Sequence, residues 1–485
     1  MKKAQVLSNQ PDFGDNPYLT GSHTPVRKEL NQPQTECIGE IPDDFSGIYL
    51  RNGPNQIFQP YGIHHWFDGD GMIHAAEFRE GEFTYRNRWV RTKALESESK
   101  AGKAIWPGLM DSPARDLKIN WGSDLYLKDN SNTDISIHSG KAISTFYQCG
   151  EAYILDPMTL ETLGTMDLKS LGARQMSAHC MTDESTGDLM FFDYAVQPPY
   201  MTYGVFNNKS ELVHHTSIDL PGARLPHSMA FTKNYSILMD LPMFWDPNLL
   251  EKDIHKVTFY PEMQSRFGIL GRMASGDSIK WFEADPCYIY HIINSWEEDH
   301  VVVLDVCRMS TPVPSKDVRQ RLSGPYGSML AWLKLDACYH RYRFNLKTGE
   351  TKEERLEDLL SEFPVINNRF GGINSRYSYH VTLAETDVVL FNGLVKIDSV
   401  TNTNQHYKFP EGSYGSEMQF APRNNSISED DGYLITFVTN MVSGKGEIQV
   451  FPSEDLSRGP LCRIIIPQQI PPGFHSSYVL PENLD

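Results

Sequence analysis

No stretch of this 485-residue chain is apolar for anything near the roughly 20 residues that a membrane-spanning helix needs. The longest apolar runs are HVVVLDVC from His300 and RIIIP from Arg463, so a spanning helix is not expected. Positive charge is also short: 44 basic against 62 acidic residues give a formal net charge of −18. A nucleic-acid backbone is therefore not the expected partner, because phosphate binding needs a positive footprint. The seven cysteines (Cys37, Cys149, Cys180, Cys287, Cys307, Cys338 and Cys462) include no CxxC pair. That scatter fits reduced thiols better than a disulfide frame or a zinc ribbon. The start, MKKAQVLSNQPDFGDNPY, carries two lysines with no apolar region behind them; no secretory signal is read, and a cytoplasmic location is expected. No usable Rossmann or P-loop motif is present, so NAD, flavin and haem are not expected.

What is present is a globular composition, 40% hydrophobic and 22% charged, and many short β-rich runs bounded by turn residues. SGIYLRNG, GEFTYRNRWVRT, KAISTFYQ, DLMFFDYAV, SILMDLP, DVVLFNGLVKID, DGYLITFVT and GEIQVFP read as antiparallel strands from one end of the chain to the other. Helical patterns are scarce, with LKSLGARQ and RQRLSGPYGSMLAWLK the better local ones. No linker, low-complexity tract or strict repeat divides the chain. One all-β domain over residues 1–485 is the simplest reading, with residues 1–20 as a loosely packed N-terminal segment. Periodicity does not choose between a propeller and a pair of sandwiches.

Four of the sixteen histidines sit in compact polar or aromatic contexts beside strand-like segments: SAHCMTDE (His179), LPHSMAFTKNY (His227), YIYHIINSWEED (His291) and PPGFHSSY (His475). Neutral imidazole is the commonest metal-binding side chain, but these four are too far apart for a local metal motif. Ligands drawn from distant strands need a closed, radially symmetric scaffold, which a propeller axis would supply. HHWFDGDGM, from His64, carries alternating aromatics, Gly and Asp of the kind a tight, bulged hairpin uses. Asp68, Asp70 and its glycines are therefore read as structural, with Phe67 facing a substrate.

The strings GIYLRNGPN, HHWFDGDGMIHA, SAHCMTDE, LPHSMAFTKNY, YHIINSWEED, SEFPVIN and FHSSY, in that order from Gly47 to Tyr478, resemble the successive signatures of the carotenoid cleavage oxygenase family. The resemblance implies a seven-bladed β-propeller with a helical cap over an axial iron(II), Fe(2+), held by His179, His227, His291 and His475. It implies cleavage of a conjugated C=C bond by O2 into two carbonyl products. It also implies three glutamates that orient the imidazoles: Glu362 and Glu417 match, while the third position reads Gln148, or Tyr147 with a one-residue shift. Thr133 matches a position beside the iron. The tyrosine and lysine with which stilbene-cleaving members grip a phenol fall at Leu109 and at Tyr147 or Phe146, so neither role is filled. A carotenoid or apocarotenoid is the expected substrate, with a hydroxystilbene or isomerase-like chemistry at the same iron as alternatives, and a metal-free binding propeller as the non-enzymatic one. The segment LPMFWDPNLL, from Leu241, reads as an interfacial patch for peripheral membrane contact or as a buried cap helix.

Overall fold

The computed structural model describes residues 11–33, 36–111, 127–252, 254–322, 324–333, 335–424 and 426–483. Among them, seven antiparallel sheets of four to six strands follow one another along the chain as the blades of a propeller. A separate two-stranded ribbon pairs Met243–Trp245 with Val257–Phe259. In the blade built from Tyr288–Glu298, Val301–Met309, Cys338–Asn345 and Thr351–Arg355, the second strand is almost wholly buried while the fourth is polar and largely exposed. Blades stack face to face, so a middle strand meets a neighbouring blade on both sides and reads as a continuous apolar run rather than an alternating one. The outermost strand faces water, which explains why KEER and the NQHYK of Thr403–Lys408 carry no apolar pattern. The eight β-rich runs all fall on strands of the blades.

The ring closes twice. Ser476–Val479 pairs antiparallel with Gly47–Pro54 and becomes the innermost strand of the first blade. Cys37–Gly39 pairs with Cys462–Ile466 at the outer edge of the last. At the first closure Arg51, only 1% exposed, donates to Ser416 Oγ and to the Pro471 carbonyl, both at 2.7 Å. The chain passes this guanidinium at Gly473, where no larger residue fits.

Helices are few and short. Thr92 caps Lys93–Ala101 by accepting the Leu95 N–H at 3.0 Å, and Gly102 ends it in the left-handed region. RQRLSGPYGSMLAWLK forms two helices, Lys316–Arg321 and Gly327–Trp332, with Gly324 at φ 119° between them. LKSLGARQ yields only the 3-10 turn Lys169–Leu171, stopped by Gly172 at φ 81°. No helix is long and apolar enough to cross a membrane among the described residues.

Residues 1–10 lie outside the described residues, but the chain is packed from Asn16 onward: Tyr18 is 2% exposed, stacks on Trp66 at 5.5 Å, and accepts the Val389 N–H at 3.2 Å. The LPMFWDPNLL segment is neither an exposed patch nor a cap helix. Leu241, Met243, Phe244 and Trp245 are 3–4% exposed and belong to the cores between blades. Only Pro247–Leu250 is helical. Its apolar composition is that of a core ribbon, and a charge at Trp245 would break packing.

A Cβ at Gly473 would lie 2.5 Å from Arg51 Nε and 2.7 Å from the Asn52 carbonyl. Gly473→Ala is expected to cost about 1–3 kcal/mol through overpacking, read as a fall of several degrees in Tm by calorimetry. An unchanged Tm would show that the closure has slack there.

Candidate metal centre

Each of the four histidines stands at or near the start of the innermost strand of a blade. His179 precedes Met181–Asp183, His227 precedes Ala230–Phe231, His291 lies in Tyr288–Glu298, and His475 precedes Ser476–Val479. The backbone is irregular at these points. His179 sits at φ 62°, and the ladder of His291 shifts register on either side of Ile292. Bulges and left-handed non-glycine residues re-aim side chains at a cost that the surrounding structure must hold in place. The result is convergence: one ligand atom from each imidazole lies within 4.8 Å of those of the other three, and all four residues are buried.

Two carboxylates stand behind the ring. Glu362 Oε2 is 2.5 Å from His291 Nδ1 and accepts the Phe363 N–H at 2.9 Å. Phe363 takes φ 49°, and the register shifts between Glu362 and Val365. Glu417 Oε1 is 3.0 Å from His475 Nδ1, while its Oε2 accepts from the Ser476 N–H and hydroxyl. Occupying Nδ1 in this way fixes the tautomer that turns the Nε2 lone pair inward. Burial holds His179 and His227 well below the usual histidine range, helped by the neighbouring imidazoles. At His475 burial is again the largest influence and opposes charge, but Glu417, Asp134 and Glu362 together push the ring upward.

Nε2 of His179 and of His291 has no protein partner in this buried cluster. Buried acceptors that face one another without a donor are costly, and a cation is the group that satisfies all of them. Metal–imidazole bonds of about 2.1 Å suit a cluster this tight. The donor set of four nitrogens therefore fits a divalent transition metal.

The ring divides the axis into two unlike halves. At His291 and His475 the residue before the ligand lines one cavity and residues after it line another. Thr133, Tyr290, Phe363 and Phe474 face an apolar chamber. Asp134, Asn294, Val365 and Ser476 face a wider channel rich in polar groups.

Comparison with known proteins bears on what such a ring serves. The family model described as retinal pigment epithelial membrane protein matches residues 23–480. The chain is 32% identical to a carotenoid 9,10(9',10')-cleavage dioxygenase 1 of Arabidopsis thaliana, over 96% of this chain and 90% of that protein. It is 28% identical to the isoeugenol monooxygenase of Pseudomonas nitroreducens, over 96% and 98%. The chain belongs to the carotenoid cleavage oxygenase family. Among solved structures, the lignostilbene dioxygenase of Pseudomonas brassicacearum superposes with a TM-score of 0.83 at 22% identity, covering 97% of this chain and 100% of that one. A Synechocystis apocarotenoid oxygenase variant gives 0.80 at 22% identity, covering 94% and 97%. At these identities the structural likeness shows the fold, a seven-bladed propeller.

The protein is thus a non-haem iron oxygenase of a family that cleaves alkenes oxidatively, with a four-histidine metal site. The other residues singled out in this carotenoid oxygenase sequence divide. Thr133, Phe67 and Tyr147 line the chamber with His227, His291 and His475. Gln148 is buried, and its amide donates to the Tyr147 hydroxyl. Leu109 is not brought to the ring: it lines a neighbouring pocket with Tyr61, Trp106 and Lys128, and its N–H donates to Asp68. Asp68 and Asp70 are loop-building, the first accepting backbone N–H groups and the second bonded to Lys128 and the Ile57 N–H. Sequence reasoning missed Tyr290, although it adjoins His291, and missed Leu333, Leu335 and Val389, which line the chamber from connecting segments.

Because Glu417 favours a proton on His475 above the ordinary 6.5, a metal must displace that proton. Binding to the metal-free protein should tighten as pH rises towards and past 6.5, by up to about tenfold per unit, with a proton released per ion. Anaerobic titration calorimetry in buffers of different ionisation enthalpy measures this. Glu417→Gln should flatten the dependence.

Proposed function

We propose that this protein uses iron(II) held by His179, His227, His291 and His475 to split one conjugated C=C bond of a carotenoid or apocarotenoid with O2, giving two carbonyl products. The observation that carries this reading is the chamber, whose wall of Trp66, Phe67, Leu333, Leu335, Val389 and Phe474 ends at the imidazole ring. Such a wall takes up a polyene by removing apolar surface from water, at about 25 cal/mol per Å², and excludes water from the reacting bond. Iron(II) bound at the ring would supply open coordination positions and electrons for activating O2.

This chain's own residues then have positioning work. Phe67, packed edge-on against Tyr147 at 5.1 Å and Phe474 at 5.1 Å, presents a flat wall beside the ring. Glu362 and Glu417 keep His291 and His475 aimed at one point. Thr133 places a small side chain between the substrate side and the ring, which limits what approaches that face.

A hydroxystilbene is the second reading, favoured by the Tyr147 hydroxyl in the chamber and by the 28% identity to an isoeugenol monooxygenase. Promoting loss of a phenolic proton needs a base or a nearby cation. Burial raises both Tyr147 and Tyr290, so both stay neutral. No lysine or arginine lines the chamber among the described residues. The polyene reading fits this lining better.

The test is an aerobic assay on protein loaded with one iron(II), offering an apocarotenal and a hydroxystilbene side by side with mass detection of aldehydes. Apocarotenal cleavage with label from ¹⁸O2 in both carbonyls is expected, and Tyr147→Phe should leave its rate within about threefold, since a neutral phenol lends no charge there. Cleavage of the stilbene alone, abolished by Tyr147→Phe, would transfer the assignment to phenolic substrates.

A further inference from the structure

Only four of the seven blades contribute a histidine. The other three begin at Asp134–His138, at Glu362–Val365 and at Ser413–Tyr414. Two of these have a known task in the geometry above, each lending a carboxylate to a ligand of an adjacent blade: Glu362 to His291, and Glu417 to His475. The blade that starts at Asp134 lies between the blades of His475 and His179, touching both through its first strand. It supplies a carboxylate as well.

Asp134 is 7% exposed, and its Oδ2 accepts the peptide N–H of His179 at 2.9 Å. Oδ1 accepts the Ile135 N–H at 2.7 Å, and the Ser136 hydroxyl approaches Oδ2 at 3.3 Å. The residue before it reaches the other way, with the Thr133 carbonyl accepting the His475 N–H at 3.1 Å. Two consecutive residues thus fix the backbones of two ligands from two different blades. The segment is itself anchored, because Asn52 Nδ2 donates to the Asp134 carbonyl at 2.9 Å.

We propose that Asp134 is a positioning residue of the iron site, the third carboxylate of the ring, acting on His179 through its main chain as Glu362 and Glu417 act on their histidines through Nδ1. The need is physical. At φ 62° His179 occupies the left-handed region, which an L-residue adopts only at a cost, so an external bond has to hold it there. A carboxylate acceptor makes roughly twice as strong a bond to that N–H as a neutral one. The proposal rests on the iron site proposed above and concerns which residue sets its geometry.

The test compares the parent with Asp134→Ala and Asp134→Asn, each loaded with iron(II) anaerobically and, separately, with cobalt(II). Metal loss to an excess of chelator and the visible cobalt spectrum are the readouts, and neither depends on turnover. Asp134→Ala is expected to lose iron about 10- to 100-fold faster, as removal of outer partners of metal ligands does, with an altered cobalt spectrum. Asp134→Asn, which keeps an acceptor oxygen, should fall between parent and Ala with the parent's spectrum. Parent-like release and spectra in both variants, even with a lower Tm, would make Asp134 an ordinary turn residue and overturn the proposal. If Asp134→Ala yields no folded protein, Asp134→Asn decides alone: faster release supports the proposal, and parent-like release overturns it. Failure of both variants to fold would assign the residue to the propeller and also overturn it. Parent protein that takes up no metal would instead sink the iron site, a result the variants cannot mimic.

Discussion

Four imidazoles can share one cation only if all are neutral, all turn a lone pair to the same point, and none is free to swing away. Burial enforces the first condition at His179 and His227. The second is a problem of chain geometry, because 296 residues of sequence number separate His179 from His475. A closed ring of blades solves it. Every blade brings the start of its first strand to the axis, so one residue per blade suffices and sequence distance is irrelevant. The third condition falls to carboxylates on blades that hold no ligand, and the strain at His179 and Phe363 records how far the backbone is bent to meet it.

The ring also fixes where polarity changes. Residues on one side of the ligands are aromatic and aliphatic, and those on the other include Asp134, Glu417, Asn294 and Ser476. The division follows from the strands themselves. A side chain at the cap end of an inner strand meets the loops that cover it, whereas one further along faces an open axis. Electrostatic interactions at the ring are strengthened on the dry side and moderated by solvent on the other. The imidazole ring thus has one apolar face and one polar face.

Much of this was legible in the amino-acid sequence, and the limits have physical causes. The strands announced themselves because blade stacking demands apolar runs, as in DGYLITFVT, which became Gly432–Asn440. The four histidines stood out by their settings, but convergence is a tertiary fact that no local spacing contains. Trp245 misled because a core ribbon and an interfacial patch share a composition and differ only in what covers them. Leu109 lines an adjoining pocket rather than the chamber, because a loop can turn its side chain in a direction that sequence position does not fix. Asp134 escaped notice because its bond goes to a backbone N–H 45 positions away, a partner without side-chain identity.

Reaction and substrate are carried by different parts of this fold. The ring is built from inner strands and the carboxylates behind them, and a displacement there would spoil all four ligands at once. Much of the chamber wall comes from connecting segments: Trp66 and Phe67 from a 3-10 turn, Leu333 and Leu335 from the stretch after a short helix, Val389 from a hairpin loop, Phe474 from the last loop before the closing strand. Loops tolerate change that packed strands do not. One scaffold can thus keep its oxidative chemistry while the wall is recut for a polyene or a phenylpropanoid, which is why relatives named for carotenoids and for isoeugenol match this chain over the same 96% of its length. The identity of the substrate must then be read from the wall, and here the wall is apolar up to the rings of Tyr147 and Tyr290 beside His227.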